Sequence, residues 1–138
     1  MDLWSYDFYL QNQIPYALRW LADNSHSWPQ SDEFVEFEDW RKYLLELADR
    51  WDYAFKDWMI ECPDENEYAK EYHELTRKLM HYEETEEGIR RSWLEETPEY
   101  IALRDKYRKR ELEIMEKYDT LQYECWLEFI DHFHHLWD

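Results

Sequence analysis

The stretch that decides the fold class runs from Glu36 to Glu61 and reads EFEDWRKYLLELADRWDYAFKDWMIE. Its large apolar residues recur at alternating spacings of three and four, which places them on one face of an α-helix. We therefore predict one unbroken amphipathic helix over this stretch, with that face buried in a core. The residues on the face are Phe37, Trp40, Leu44, Leu47, Trp51, Ala54 and Trp58.

The composition of the whole chain agrees with a helical class. Its 138 residues include one Gly and four Pro, too few for the many turns of a sheet protein of this size. Hydrophobic residues make up 44% and aromatic residues 20%, which is enough to build a core in one domain over residues 1–138. We expect an all-α fold, either a helical bundle or an irregular array of about four helices.

The other predicted helices carry similar apolar stripes. The first spans roughly residues 4–24 and contains Pro15, which starts a second helical piece or kinks one continuous helix. The third begins near Asp64 and ends at Gly88, and a short helix follows over residues 89–96. The motif Thr97-Pro98-Glu99 opens a long C-terminal helix that reaches Leu136.

Charge is the strongest functional signal, because 34 acidic and 16 basic side chains give a formal net charge of -18. This charge argues against direct binding of nucleic acid or of an anionic membrane, and it favours a basic protein partner. Carboxylates along rigid helices imitate a nucleic-acid backbone and compete for the Lys and Arg side chains of a nucleic-acid-binding protein. The alternative is a solvated surface that only maintains solubility.

The candidate partner-binding residues are acids on the predicted second and third helices. A basic run over residues 104–110 interrupts the acidity, and we expect it to pair with the acidic third helix or with the partner, phosphate contact being the alternative. The candidate acids are Glu36, Glu38, Asp39, Asp64, Glu65, Glu67, Glu71, Glu74, Glu83, Glu84, Glu86 and Glu87.

A candidate metal site lies on one stripe of the last helix, where Cys125, Glu128, His132 and His135 follow at spacings of three, four and three. Thiolate, carboxylate and imidazole are all ligands of zinc. The stripe is too long for one ion, so a structural zinc ion needs further ligands from elsewhere in the chain. The alternative is a partly buried polar seam satisfied by hydrogen bonds.

Motifs of catalysis and of export are absent from the sequence. No Glu has a His three residues later, as a ferritin-like di-metal site requires, and there is no phosphate loop or Gly-x-Ser-x-Gly motif. We therefore predict a protein without enzymatic activity. The two distant cysteines, and the lack of a signal peptide or membrane span, favour a reduced cytoplasmic protein.

Several short motifs near the two ends of the chain resemble a family of small, uncharacterised helical proteins of bacteriophages and prophages. The motifs are LWSYD at residues 3–7, Ile14-Pro15 with Leu18, NSHSWP at 24–29, FEDW at 37–40 and FIDHFHHLW at 129–137. The resemblance covers about half of the chain. Family members often carry Gly-Tyr-Pro where this chain has Ser27-Trp28-Pro29, so we expect a different turn geometry there.

The resemblance implies a phage origin and a helical fold. Small acidic phage proteins are often inhibitors of host defence, of which anti-CRISPR proteins are the most familiar class. We therefore expect a phage-encoded inhibitor that uses acidic helical faces to bind a basic Cas effector nuclease, Cas9 first, in the cytoplasm of the infected or lysogenic host. A metal-stabilised phage structural or interaction protein without inhibitory activity is the alternative, and homodimerisation is left open.

Overall fold

The computed structural model describes residues 3–132, 134 and 136, with the side chains of residues 3–8, 91 and 92 left out of the description. It confirms the all-α class, since helices dominate this part of the chain and its one small sheet has two strands. A 3-10 helix occupies Pro63–Glu65. The remaining elements are α1 Leu3–Asn24, α2 Phe37–Ala54, α3 Trp58–Glu61, α4 Ala69–Leu79, β1 Met80–Thr85, β2 Gly88–Leu94 and α5 Pro98–His132.

Contacts within the chain group it into two compact units. The terminal unit comprises residues 1–56 and 118–138, and the central unit comprises residues 57–117. Helix α5 passes from the central unit into the terminal unit. A single domain over residues 1–138 stays a prediction.

The core of the terminal unit lies between α1, α2 and the end of α5. The predicted face of the second helix is buried here from Trp40 to Ala54, and Trp51 is fully enclosed. Ile14 and Leu18 bury the facing side of α1, which runs as one helix through Pro15. The hydrophobic periodicity therefore located the core correctly.

The predicted continuation of the second helix to Glu61 is wrong, because α2 ends at Ala54. The ring of Phe55 stacks on Trp51 with centroids 4.8 Å apart, and Lys56 Nζ lies 4.1 Å from the centre of the Tyr53 ring. These contacts hold residues 55 and 56 against the last turn of α2. Neither Pro nor Gly marks this end in the sequence, so periodicity alone does not detect it.

The predicted third helix to Gly88 and the short helix over residues 89–96 are also wrong, since residues 80–94 form a β-hairpin. Glutamates at 83, 84, 86 and 87 would repel one another at helical spacing. In the hairpin Glu83 instead lies opposite Arg90, and such opposite-charge pairs stabilise paired strands. Gly88 adopts a φ of 124°, which favours glycine and allows the turn.

The core of the central unit is smaller and is built on Tyr100, Leu103 and Ile114 of α5. Asn66 is buried beside it, and its side-chain amide donates a hydrogen bond of 3.1 Å to the main-chain carbonyl of Tyr107. Tyr72 of α4 stacks on Tyr107 with ring centroids 4.3 Å apart. These contacts attach α4 and the segment before it to the first half of α5.

Helix α5 begins where the sequence predicts. The Tyr100 N–H donates to Thr97 Oγ1 at 3.1 Å, which caps the first turn. The helix is continuous to His132. The predicted extension to Leu136 is wrong, because Leu136 is a buried core residue in a bend beyond the helix end.

Candidate partner-binding site

The hairpin of residues 80–94 concentrates four of the predicted partner-binding acids at its tip. Glu86 and Glu87 form the turn, while Glu83 and Glu84 precede it on β1. Thr85 Oγ1 donates to the Gly88 carbonyl at 2.8 Å and closes the turn. All four glutamate side chains are exposed, and no ion pair joins them to another described side chain. They therefore form an exposed acidic tip, in which Glu83 has Arg90 as its cross-strand neighbour, and it lies on a hairpin and not on the helix that the sequence predicts.

Large apolar side chains are exposed on the same hairpin. Tyr82 is 61% exposed, Ile89 77% and Trp93 54%. The ring of Trp93 stacks on His81 of the opposite strand with centroids 3.9 Å apart, which fixes one face of the indole. Exposed aromatic and aliphatic side chains beside charged groups are typical of surfaces that bind other proteins.

The acids before α4 contribute to the fold of the central unit. Lys117 Nζ lies 2.7 Å from Glu65, and Arg110 lies 2.9 Å from Glu67. A hydrogen bond from its own main chain, together with Arg110, lowers the pKa of Glu67. Arg110 thus pairs with an acid of the predicted third helix, as expected for the basic run. These two carboxylates already have cationic partners and are weaker candidates for binding an outside protein.

Three further acids of the central unit are exposed without an ion pair among the described side chains. Asp64 lies in the 3-10 helix, whereas Glu71 and Glu74 lie on α4. On α4 the basic residues Lys70, Arg77 and Lys78 flank Glu71 and Glu74. These flanking cations make α4 less uniformly negative than the hairpin tip.

The acids at the start of α2 serve mainly to begin that helix. The Glu36 N–H donates to Asp39 Oδ2 at 3.0 Å, and Glu38 pairs with Arg41 at 3.2 Å. Acids in the first turn also favour the positive end of the helix dipole. All three side chains are exposed, but their local contacts give them a structural explanation.

The predicted metal ligands have other contacts where the structure describes them. Glu128 accepts hydrogen bonds from Arg50 at 2.6 and 2.8 Å and from the Tyr43 hydroxyl at 2.7 Å. Arg50 and then Tyr43 lower the pKa of Glu128 against the effect of its burial. Burial is also the main reason that the pKa of Tyr43 is raised.

Cys125 and His132, the other described members of the metal stripe, also have structural surroundings. Cys125 is buried in the core, and burial raises the pKa of its thiol. The ring of His132 packs edge-on against Phe34 and Tyr43, and His135 lies outside the described residues. Among the described residues no three His, Cys, Asp or Glu side chains are grouped to hold a metal. A structural zinc ion stays a prediction, as does the absence of enzymatic activity.

Sequence reasoning found the tip acids but missed the exposed apolar residues of the hairpin. The signal for a turn was Gly88, which follows two glutamates. Two positions beyond the closing pair Thr85 and Gly88, Glu83 and Arg90 form an opposite-charge pair across the strands. The helical period hid this signal, because Tyr82, Ile89 and Trp93 also fit a stripe with spacings of three and four.

No helix in the described part of the chain has both the length and the apolar character needed to cross a bilayer. Comparison of the chain with protein-family models, curated proteins and solved structures finds no match.

Proposed function

We propose that this chain is a phage-encoded inhibitor that binds a basic, nucleic-acid-handling host protein, with the hairpin tip as its main contact. The proposed target is a defence nuclease of the Cas effector class, and Cas9 is the first to test. The observation that carries the proposal is the exposed tip of Glu83, Glu84, Glu86 and Glu87, whose carboxylates form no ion pair with another described side chain.

The proposed contact follows from what a nucleic-acid channel presents. Effector nucleases hold their duplex in a positively charged channel, whose Lys and Arg side chains are spaced to meet phosphates. The four tip carboxylates compete for those cations, and electrostatic attraction speeds the encounter. Trp93 and Ile89 add apolar contact at the same element, which a purely solubilising charge does not need. The site of action is the cytoplasm of the infected or lysogenic bacterium.

The test is a pull-down of the tagged full chain against purified Cas9–guide RNA and, in parallel, against bacterial lysate at low and high salt. In the test variant all four tip glutamates become Gln. We expect it to bind roughly tenfold more weakly, since four exposed charge contacts of about 0.3–0.4 kcal/mol each add to about 1.4 kcal/mol. Its free energy of unfolding should stay within about 0.5 kcal/mol of wild type, as is usual for exposed substitutions.

A matched control removes four exposed acids elsewhere. Glu61→Gln, Glu116→Gln, Asp119→Asn and Glu124→Gln change the net charge by the same amount, and no ion pair joins these side chains to another described one. Selective loss of binding in the tip variant supports the proposal. Equal loss in both variants would show that only total charge matters. Failure of the wild-type chain to retain any basic protein would contradict the function altogether.

A further inference from the structure

A second surface lies in the terminal unit and is apolar. Along α1, an open groove of about 780 Å³ runs beside the end of α5. Its floor includes the buried side chains of Ile14, Leu18 and Leu136, and Phe129 contributes from α5. Ala17 and Trp20 line the groove from exposed positions of α1, and Trp20 is 55% exposed.

The exposed aromatic residues of α1 extend this surface along the helix. Tyr9, Tyr16 and Trp20 lie at spacings of seven and four, so they share one stripe that is distinct from the buried stripe of Ile14 and Leu18. Scattered apolar side chains need no explanation, but a contiguous apolar groove bordered by such a stripe marks an interaction site. Its volume falls in the range of pockets that accept a ligand or a row of side chains.

The charge of the same unit selects the occupant. Residues 1–56 and 118–138 contain sixteen acidic and five Lys or Arg side chains, a formal net charge of -11. Each of those five cations already contacts an acidic side chain or an aromatic ring of the described structure. Arg19 pairs with Asp49 and Asp52, Arg41 with Asp23 and Glu38, Lys42 with Glu46, Arg50 with Glu128, and Lys56 lies over the Tyr53 ring.

From the apolar groove and the surplus of negative charge, we infer that this groove binds a cationic amphipathic helix of a partner protein. Apolar side chains at helical spacing enter the groove, while Lys and Arg on the flanks of that helix are attracted by the net negative charge of the unit. None of the described residues that line the groove is charged, so the attraction for a cationic helix comes from the net negative charge of the unit. The inference does not rest on the proposed hairpin contact, since it uses residues of the other unit.

Charge also weighs against the other occupants of an apolar groove. Two copies of this unit would each bring the same negative charge, and like charges oppose their association. An anionic membrane surface is repelled for the same reason. A basic helix is the occupant that gains from both the apolar lining of the groove and the net negative charge of the unit.

The test uses a synthetic 18-residue helix of Leu and Lys, with Leu at helical spacing, titrated calorimetrically into the full chain. A scrambled peptide of the same composition and a Leu and Glu peptide are the probe controls. We expect the patterned cationic peptide alone to bind. We expect Ala17→Glu, which places a charged side chain in the groove, to weaken its binding by about tenfold or more.

A matched protein control is Ile60→Glu, because Ile60 is 76% exposed in the central unit and the substitution adds the same charge. Binding unchanged in Ile60→Glu and lost in Ala17→Glu supports the inference, provided that both variants keep the wild-type circular dichroism spectrum. Peptide binding by Trp20→Ala is a second test, since truncating this exposed side chain removes contact area without adding charge.

Three outcomes would overturn the inference. Equal binding of the scrambled peptide would mean that charge alone is sufficient. Equal binding by Ala17→Glu and wild type would place the peptide elsewhere. The third is sedimentation of the wild-type chain as a dimer and of the Trp20→Ala variant as a monomer. That result would show that the groove binds a second copy of the chain. None of these results bears on the hairpin variants, so the two proposals fail separately.

Discussion

Trp51 and Trp93 have the same side chain but lie in opposite environments, the first in a core and the second at the surface. Trp51, in the terminal unit, is fully buried and packs its ring against Phe55 and Trp126, each with centroids 4.8 Å away. Trp93, on the hairpin of the central unit, is 54% exposed and stacks on His81 alone among the described rings. The first also contacts α5, which is distant in sequence, whereas the second depends on its cross-strand neighbour.

The difference teaches which part of the molecule supplies stability and which part is available for contact. A buried tryptophan brings a large apolar area into the core. A two-stranded hairpin is marginal by itself and draws its stability from the turn, from cross-strand pairs and from its attachment. Elements of low local stability that expose charged and aromatic groups are where binding surfaces are commonly found. We therefore expect substitutions in the two regions to act on different measurements.

The largest expected effect is on the core. Trp51→Ala should lower the free energy of unfolding by about 3–5 kcal/mol, the usual cost of removing a fully buried tryptophan. Trp93→Ala, the matched control, should change it by less than about 1 kcal/mol, because half of the indole already faces solvent. Urea denaturation followed by circular dichroism measures both. Equal losses would show that the hairpin belongs to the same cooperative core.

A smaller effect is expected at the Arg50–Glu128 ion pair. Glu128→Gln keeps the shape but removes the charge, and it should cost about 1–2 kcal/mol, since both side chains are partly solvated and the pair is screened. The lowered pKa of Glu128 means that its stabilisation is complete above the pKa of an unfolded Glu, about 4.3. That stabilisation is lost as the pH falls through the lower pKa of the folded state.

The measurement is denaturation of wild type and Glu128→Gln between neutral and acidic pH. The difference between the two proteins should be largest near neutrality and shrink as the wild-type carboxylate is protonated. Glu124→Gln is the control, because this exposed acid lies one turn earlier on α5 and no ion pair joins it to another described side chain. A difference that stays constant down to acid pH would exclude the ion pair as its source.

The smallest expected effect is confined to the hairpin. Gly88 has a φ of 124°, and a Cβ there would meet no atom within 4 Å, so the cost of Gly88→Ala is conformational and not steric crowding. We expect it to destabilise the hairpin by about 1 kcal/mol. Amide hydrogen exchange should speed up in β1 and β2 and stay unchanged in α2. Glu87→Ala is the control, because no described residue other than Gly88 has a positive φ.

The helices were predictable where one face had to be buried. The stripe from Trp40 to Ala54 was found because its period is that of a helix and its side chains are large. The start of α5 was found because Thr97 and Pro98 are local signals. The end of α2 was missed because its last main-chain carbonyl, that of Ala54, accepts a hydrogen bond of 3.0 Å from the side chain of Gln122, a partner that no local pattern reveals.

The candidate sites were predictable only in part. The sequence alone identified the four tip glutamates, but it placed them on a helix, since three-four spacing and strand alternation overlap over short segments. Glu128 was assigned to a metal by its spacing from Cys125 and His132. The structure instead brings Arg50, 78 positions earlier, within hydrogen-bonding distance of it, and no local pattern reveals such a partner.

The amino-acid sequence by itself determined the all-α class, the buried face of α2 and the excess of negative charge, because each depends on composition or on a short period along the chain. Tertiary structure decided which acids are neutralised, which aromatic residues stay exposed and where a groove opens beside α1. These features depend on groups far apart in the chain that meet only after folding. The physical reason is that burial and ion pairing are properties of neighbours in space, whereas periodicity is a property of neighbours in sequence.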